Sequence, residues 1–128
     1  MTLDEERHDE CPMREHCLKH EQCPMGLVHK IMTGKWKLLI LWYLSYNTLR
    51  FSQLRKKLGN VTEKMLTQQL RELEHDKLIF RQVYPVVPPK VEYGLTDIGK
   101  MIIPVLEMMH KFGETYLTQV VYNEDSNS

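Results

Sequence analysis

The chain has 128 residues, of which 42% are hydrophobic and 27% are charged, a composition that predicts one soluble globular domain. No apolar run approaches the ~20 residues of a membrane-spanning helix, so no membrane partner is expected. The N-terminus is charged from Asp4 onward and lacks the apolar segment of a signal peptide. We therefore expect a cytoplasmic protein whose cysteines are reduced and form no disulfide framework.

The charges are unevenly distributed, although the formal net charge is zero. Residues 1–23 and residues 91–128 each carry a net charge of −4, whereas residues 24–90 carry +8. A basic middle between acidic ends is typical of a protein that binds a polyanion. The alternative is an ordinary solvated surface, and charge alone favours neither interpretation.

Hydrophobic spacing and turn residues predict a mainly α-helical domain with a small β-hairpin. Residues 1–22 form a polar, His-rich arm without a sustained apolar period, so we expect it to be partly disordered or loosely helical. The folded domain is predicted over 23–118 and a frayed tail over 119–128. The predicted elements are helices over 24–32, 35–46, 51–58 and 62–76, strands over 78–84 and 91–95 around a stiff proline-rich loop, and a helix over 97–118.

The last predicted helix is apolar on two sides. One side carries Val105, Met109, Phe112 and Tyr116, and a second side is apolar as well. Such a helix at the end of a small domain is expected to pack both on its own core and on a partner. Pro104 lies inside this segment and is expected to bend the helix.

Residues 51–76 have the pattern of a helix-turn-helix, with a short helix, a turn at Gly59 and a second amphipathic helix. In this motif the exposed face of the second helix enters the major groove of DNA. Arginine suits guanine and glutamine suits adenine, and both residue types lie on this face. The candidate DNA-binding residues of this helix are Thr62, Lys64, Met65, Thr67, Gln68 and Arg71.

The predicted hairpin would form a wing beside this helix. Arg81 and Lys90 are candidates for contact with phosphates or with the minor groove, and Arg50 flanks the motif. For the polar helix face alone, a plain solvated surface is the simpler interpretation. The order of the helices, the hairpin and the basic middle segment together favour DNA binding.

Five stretches follow one another along the chain: GKWKLLILWYL (34–44), RFSQLRKKL (50–58), TEKMLTQQLRELEHDKLI (62–79), YPVVPPKVEYGLTDIGK (84–100) and IIPVLEMM (102–109). Together they closely resemble the HxlR-type transcriptional regulators, bacterial winged-helix proteins related to the MarR group. The resemblance covers about residues 23–117. It implies a winged helix-turn-helix fold, a recognition helix over 62–76, a wing over 78–95 and a homodimer built from the terminal helices. The interface residues expected from it are Leu27, Ile31, Val105, Met109, Phe112 and Tyr116.

The chain departs from the family pattern in two places. Gly94 stands in the return strand of the wing, where a polar or bulkier residue is expected. The N-terminal arm is longer than usual and contains the additional cysteines Cys11 and Cys17. The second departure leaves the sensing mechanism open.

Cys23 is the position at which the resemblance implies a redox sensor that responds to oxidants or electrophiles. Because it precedes Pro24, it should lie at the N-cap of the first helix, where the helix dipole favours the reactive thiolate. Cys11 and Cys17 are possible disulfide partners. The alternative is a small buried side chain without chemistry.

A zinc site is a further possibility for the arm, because cysteine and histidine are the usual zinc ligands. The spacing of the cysteines argues against this site. Five residues separate one cysteine from the next, whereas two to four residues separate the cysteine ligands of most zinc sites. The available ligands are His8, Cys11, His16, Cys17, His20 and Cys23.

The sequence therefore predicts a DNA-binding transcriptional regulator, a homodimeric repressor that binds a pseudo-palindromic operator and uses no cofactor. An enzyme is not expected, because no catalytic triad, glycine-rich phosphate loop or apolar carboxylate pair is present. The alternatives are a metal-responsive regulator that uses the arm, and an interaction module that no longer binds DNA.

Overall fold

The structure, a computed structural model, describes residues 23–126, with side chains up to residue 124. The arm predicted over 1–22, with Cys11 and Cys17, lies outside the described residues. The helices are α1 (Pro24–Ile31), α2 (Lys37–Leu44), α3 (Phe51–Leu58), α4 (Glu63–His75), α5 (Asp97–Lys100), α6 (Ile103–Tyr116) and α7 (Tyr122–Ser126), with a π-helix (Leu117–Val121) between the last two. The strands are β1 (Leu49–Arg50), β2 (Ile79–Tyr84) and β3 (Lys90–Leu95).

The three strands form one antiparallel sheet in the order β1-β3-β2. The hairpin of β2 and β3 pairs Ile79 with Leu95 at its base and Tyr84 with Lys90 at its tip. The predicted wing hairpin is thus confirmed. Of the helices in the described residues, none is long and apolar enough to cross a membrane.

The hydrophobic core lies where α2, α3 and α4 meet the base of the sheet. Leu54 and Leu58 of α3 and three leucines of α4 are buried in this core, and Phe51 of α3 is partly buried against it. One residue of α6, Leu106, closes the core from the far side. The buried apolar residues are Ile40, Leu41, Leu44, Leu49, Leu54, Leu58, Val61, Leu66, Leu70, Leu73, Leu78, Ile79, Leu95 and Leu106.

The single bent helix predicted over 97–118 is wrong, because the chain forms two separate helices there. α5 begins at Thr96, whose hydroxyl accepts a hydrogen bond from the backbone N–H of Gly99 at 3.0 Å, and ends within one turn. Pro104 lies in the first turn of α6, where its missing N–H leaves no helical hydrogen bond unmade. The proline therefore starts a helix rather than bending one.

The frayed tail predicted over 119–128 is not observed up to residue 126, and its last two residues lie outside the described residues. The chain continues as the π-helix over Leu117–Val121 and then as α7 to Ser126. The apolar residues of this segment sustain the helical pattern beyond the predicted end at 118.

Gly94 has a packing role that the sequence comparison did not anticipate. It is buried in β3, and a Cβ built on it would lie 2.5 Å from Cζ of Phe80 and 2.9 Å from Cγ2 of Thr48. The ring of Phe80, which is paired with Gly94 across the hairpin, occupies the space that a side chain would need. A bulkier residue is therefore excluded here while Phe80 keeps this position.

Replacing Gly94 with alanine should lower the free energy of unfolding by about 1–3 kcal/mol, because the added methyl group overpacks the hairpin. Urea denaturation measures this change. In a Phe80→Leu background the same substitution should cost much less, since the clashing ring atoms are gone. An equal cost in both backgrounds would contradict this account of the glycine.

Candidate nucleic-acid interface

The helix α4 is oriented by its cap and by its buried side. Oγ1 of Thr62 accepts a hydrogen bond from the backbone N–H of Met65 at 3.1 Å, so Thr62 is the N-cap of this helix. Leu66, Leu70 and Leu73 are fully or almost fully buried in the core. Because one side of the helix is held inside, the opposite side must face solvent.

That solvent-facing side brings together four of the predicted DNA-binding residues. Lys64, Thr67, Gln68 and Arg71 line one shallow depression on the outer face of α4. The hydroxyl of Thr67 donates to the carbonyl oxygen of Glu63 at 2.8 Å. Its methyl group is thus the part best suited to meet a thymine methyl. We call these four residues the reading face.

The other two predicted residues of this helix are partly engaged within the protein. Thr62 uses its hydroxyl to cap α4. Met65 is 38% exposed, and its sulfur lies 3.8 Å from the donor Nε2 of the buried Gln69. Both lie at the start of α4, beside the reading face rather than within it.

The wing places Arg81 beside the reading face. Arg71 of α4 and Arg81 of β2 line the same groove between the helix and the hairpin, together with Tyr93 of β3. Arg81 and Tyr93 are register partners, so they lie on the same side of the sheet. Two arginines from different elements therefore line one groove, which Glu74 of α4 lines as well.

Lys90 lies on the other side of the hairpin. Its Nζ is 2.9 Å from Oε1 of Glu92 and lies 5.0 Å from the ring centroid of Tyr84. The hydrogen bond from Lys90 is the largest cause of a lowered pKa at Glu92, and weaker ones come from Tyr84 and Thr48. The charge of Lys90 is thus directed at a carboxylate of the same strand.

Further basic side chains lie around the helix-turn-helix. Arg50 is exposed, and its backbone N–H donates to Oε1 of Gln53 at 2.8 Å at the start of α3. Arg55 and Lys56 of α3 are exposed and line a depression next to the start of α4. The sequence reasoning did not include these two among the DNA-binding residues, although their position before the turn was a usable signal.

An ion pair between a buried lysine and a partly exposed glutamate connects α2 with α4, and the sequence reasoning missed it. Lys37 is only 4% exposed, and its Nζ lies 2.8 Å from Oε2 of Glu72, whose side chain is 43% exposed. The hydrogen bond from Lys37 is the largest cause of a lowered pKa at Glu72, with a weaker one from Gln68. Glu72 follows Gln68 by one turn and lines the same depression as the reading face.

Cys23 lies at the N-cap of α1, as predicted, and Pro24 occupies the first turn. Its side chain is half-buried. Between residues 23 and 126, no group of three or more His, Cys, Asp or Glu side chains could hold a metal ion. All the other ligands of the zinc alternative belong to the arm, outside the described residues.

The apolar residues predicted for a dimer interface are largely on the surface. Phe112 is 70% exposed and Tyr116 is 49% exposed, although both are large and apolar. Val105, Met109 and Leu27 are exposed as well, whereas Ile31 is half-buried against the core. The exposed residues of α6 form an apolar surface that the described part of the chain leaves uncovered.

Comparison with known proteins places this arrangement in a family. Residues 31–121 match the family described as HxlR-like helix-turn-helix. The chain belongs to this family. Its members are DNA-binding transcriptional regulators, a class that does not include enzymes. The HTH-type transcriptional regulator YtfH of Escherichia coli K12 is 42% identical to this HxlR-like chain over 116 residues, which are 91% of this chain and 92% of YtfH.

Solved structures support the same assignment. A regulator of the MarR family from Porphyromonas gingivalis W83 is 37% identical, with a TM-score of 0.70 over 73% of this HxlR-like chain and 92% of that one. The redox regulator HypR in its oxidised form is 40% identical, with a TM-score of 0.69 over 73% of this chain and 96% of HypR. The reduced form of HypR is 37% identical, with a TM-score of 0.72 over 78% of this chain and 98% of HypR.

Lowering the pH should remove the stabilisation that this HxlR-like domain gains from Lys37 and Glu72. Lys37 lowers the pKa of Glu72 below its ordinary value of 4.5. The ion pair therefore stabilises the folded state fully above pH 4.5, and this stabilisation is lost as the pH falls through the lowered pKa. Between about pH 6 and pH 3, the free energy of unfolding should therefore fall more for the wild type than for Glu72→Gln. Urea denaturation across this range measures the difference, and parallel pH curves would contradict the prediction.

Proposed function

We propose that this HxlR-like regulator is a homodimeric repressor that binds a pseudo-palindromic operator and releases it when Cys23 is oxidised or alkylated. Its reading face enters the major groove, and Arg81 of the wing contacts the backbone or the minor groove of the same duplex. Each half of the proposal rests on a different part of the chain.

The observation that carries the DNA-binding half is that Arg71 and Arg81 line one groove. Arg71 belongs to the reading face, where guanidinium, amide and methyl groups lie side by side and match the groups that bases present in the major groove. Arg81 reaches the same groove from the wing. Lys90, which is paired with Glu92 on the other side of the hairpin, contributes less to DNA binding in this arrangement.

The dimer is supported by the uncovered apolar surface of α6. Four large apolar residues are exposed on this helix: Val105, Met109, Phe112 and Tyr116. Monomeric proteins rarely expose a large contiguous apolar patch to water. A second copy that covers this surface would place two reading faces on one duplex, and a two-fold axis would then match a pseudo-palindromic site. Leu27 and Ile31 of α1 would extend the interface.

The switch is supported by the position of Cys23 and by the resemblance to HypR, which is a redox regulator. The thiol lies at the positive end of the α1 dipole, an environment that favours thiolate chemistry. In the proposed reaction, Cys23 and a second thiol lose two electrons and two protons to the oxidant and form a disulfide. The second thiol comes from Cys11, Cys17, another protomer or a small thiol.

Replacing Arg71 with alanine should relax sequence preference at one base pair by about 1–3 kcal/mol, because a bidentate contact to a base edge is lost. The matched variant Arg81→Ala should weaken binding to all sequences alike and lower the slope of log K against log salt by about 1. Competition binding with single-base operator variants at several salt concentrations separates the two effects. An unchanged base preference in Arg71→Ala would remove this residue from the reading face.

Replacing Cys23 with serine should leave operator binding intact and abolish its loss in diamide. In the wild type, diamide should abolish binding and dithiothreitol should restore it, because diamide converts thiols into disulfides that dithiothreitol reduces. Cys11→Ser and Cys17→Ser serve as matched controls for the partner thiol. A full response to diamide in Cys23→Ser would contradict the sensor role of this residue.

A further inference from the structure

The buried lysine of α2 is unusual for its helix. Lys37 begins the segment KLLILWYL, whose other seven residues are apolar, and its side chain is 5% exposed. A buried ammonium group is unfavourable unless it is paired, and an apolar side chain of similar size is often at least as stable in such a place. The stability of the core therefore does not by itself account for a lysine here.

The partner of Lys37 stands at the edge of the reading face. Glu72 is one turn after Gln68 and next to Arg71, and it lines the same depression as both. Without a counter-charge, its carboxylate would be directed at the phosphates of any duplex that this face contacts. Such a charge would repel DNA and would also compete for the guanidinium of Arg71.

The other acidic residues of α4 are placed differently. Oε2 of Glu63 is 4.0 Å from the exposed Arg55, and Glu74 lies in the groove that contains Arg71 and Arg81. These carboxylates can find basic partners at the surface. The carboxylate of Glu72 lies 2.8 Å from Nζ of the buried Lys37. Lys37 therefore neutralises this charge from inside the protein, and the cations at the surface remain available for DNA.

We propose that Lys37 is a positioning residue for DNA binding, a buried counter-charge that holds the Glu72 carboxylate back from the phosphates and leaves Arg71 unengaged. The inference rests on the proposed function, because it assumes that α4 meets DNA. Lys37 itself touches no DNA and acts only through Glu72. Its effect is electrostatic, so it depends on salt and can be reversed by removing the charge of Glu72.

Four variants test the inference: Lys37→Met, Lys37→Met/Glu72→Gln, and the controls Glu74→Gln and Lys37→Met/Glu74→Gln. The probes are a duplex that the wild type enriches from a random-sequence library and a shuffled duplex of the same composition. Lys37→Met should bind both duplexes on the order of tenfold more weakly at low salt. The loss should shrink as salt screens the unpaired carboxylate.

The second substitution decides between an electrostatic and a structural role. Lys37→Met/Glu72→Gln should recover wild-type affinity, because no unpaired charge remains, whereas Glu74→Gln, made in the wild type and in Lys37→Met, should change both affinities by the same factor. Thermal unfolding of every variant fixes a temperature at which all are folded. Packing damage caused by the loss of Lys37 would not be repaired by a change at Glu72 alone.

Two outcomes would overturn the inference while the wild type binds its enriched duplex. Affinity of Lys37→Met equal to that of the wild type would show that Glu72 needs no counter-charge. A loss that persists in Lys37→Met/Glu72→Gln would reduce Lys37 to a structural role. If the wild type enriches no sequence and binds neither duplex, DNA binding by α4 is itself contradicted, and the inference falls with it.

Discussion

The burial of one side of α4 is the constraint on which the rest of the interface depends. Leu66, Leu70 and Leu73 fix the rotation of this helix against the core, and the cap at Thr62 fixes where it begins. Because the rotation and the start of the helix are both fixed, the side chains of the reading face point to solvent or to a ligand. A helix of 13 residues offers about three and a half turns, enough to span a major groove once.

The same surface shows that the number of basic residues overstates the charge available to DNA. Residues 24–90 carry a net charge of +8, yet Lys37 is paired with Glu72 inside the protein and Lys90 with Glu92 on the outer side of the hairpin. Each pair also removes a carboxylate from the field that DNA would meet. What remains exposed near the reading face is a smaller set of cations, among them Arg71 and Arg81, concentrated at one groove.

Much of this arrangement could be predicted from the sequence because it follows from local rules. Hydrophobic spacing predicted α4 as an amphipathic helix, and two strands around a proline-rich loop predicted the hairpin. The predictions that failed concern features of the structure that tertiary contacts determine. Pro104 was interpreted as a bend, but whether a proline starts or bends a helix depends on where the preceding turn packs.

The missed contacts were beyond the reach of local patterns for the same reason. Lys37 was included in a buried helix without a partner being sought, because Glu72 is 35 positions away and belongs to a different element. Arg81 and Lys90 were both candidates for contact with phosphates or the minor groove, but strand register places the two on opposite sides of the hairpin. The need for glycine at 94 appears only once the ring of Phe80 is located.

The placement of α1 suggests how a change at Cys23 could reach the DNA-binding surface. A cleft of about 910 Å³ separates α1 from the C-terminal half of α4, and its walls include His29 on one side and Arg71 on the other. No residue of α1 is fully buried, although Ile31 packs against the core. Lys37 also lines the cleft while pairing with Glu72. In the proposed switch, a displacement of α1 would change the cleft that Lys37 and Glu72 line, and with it the surroundings of their ion pair.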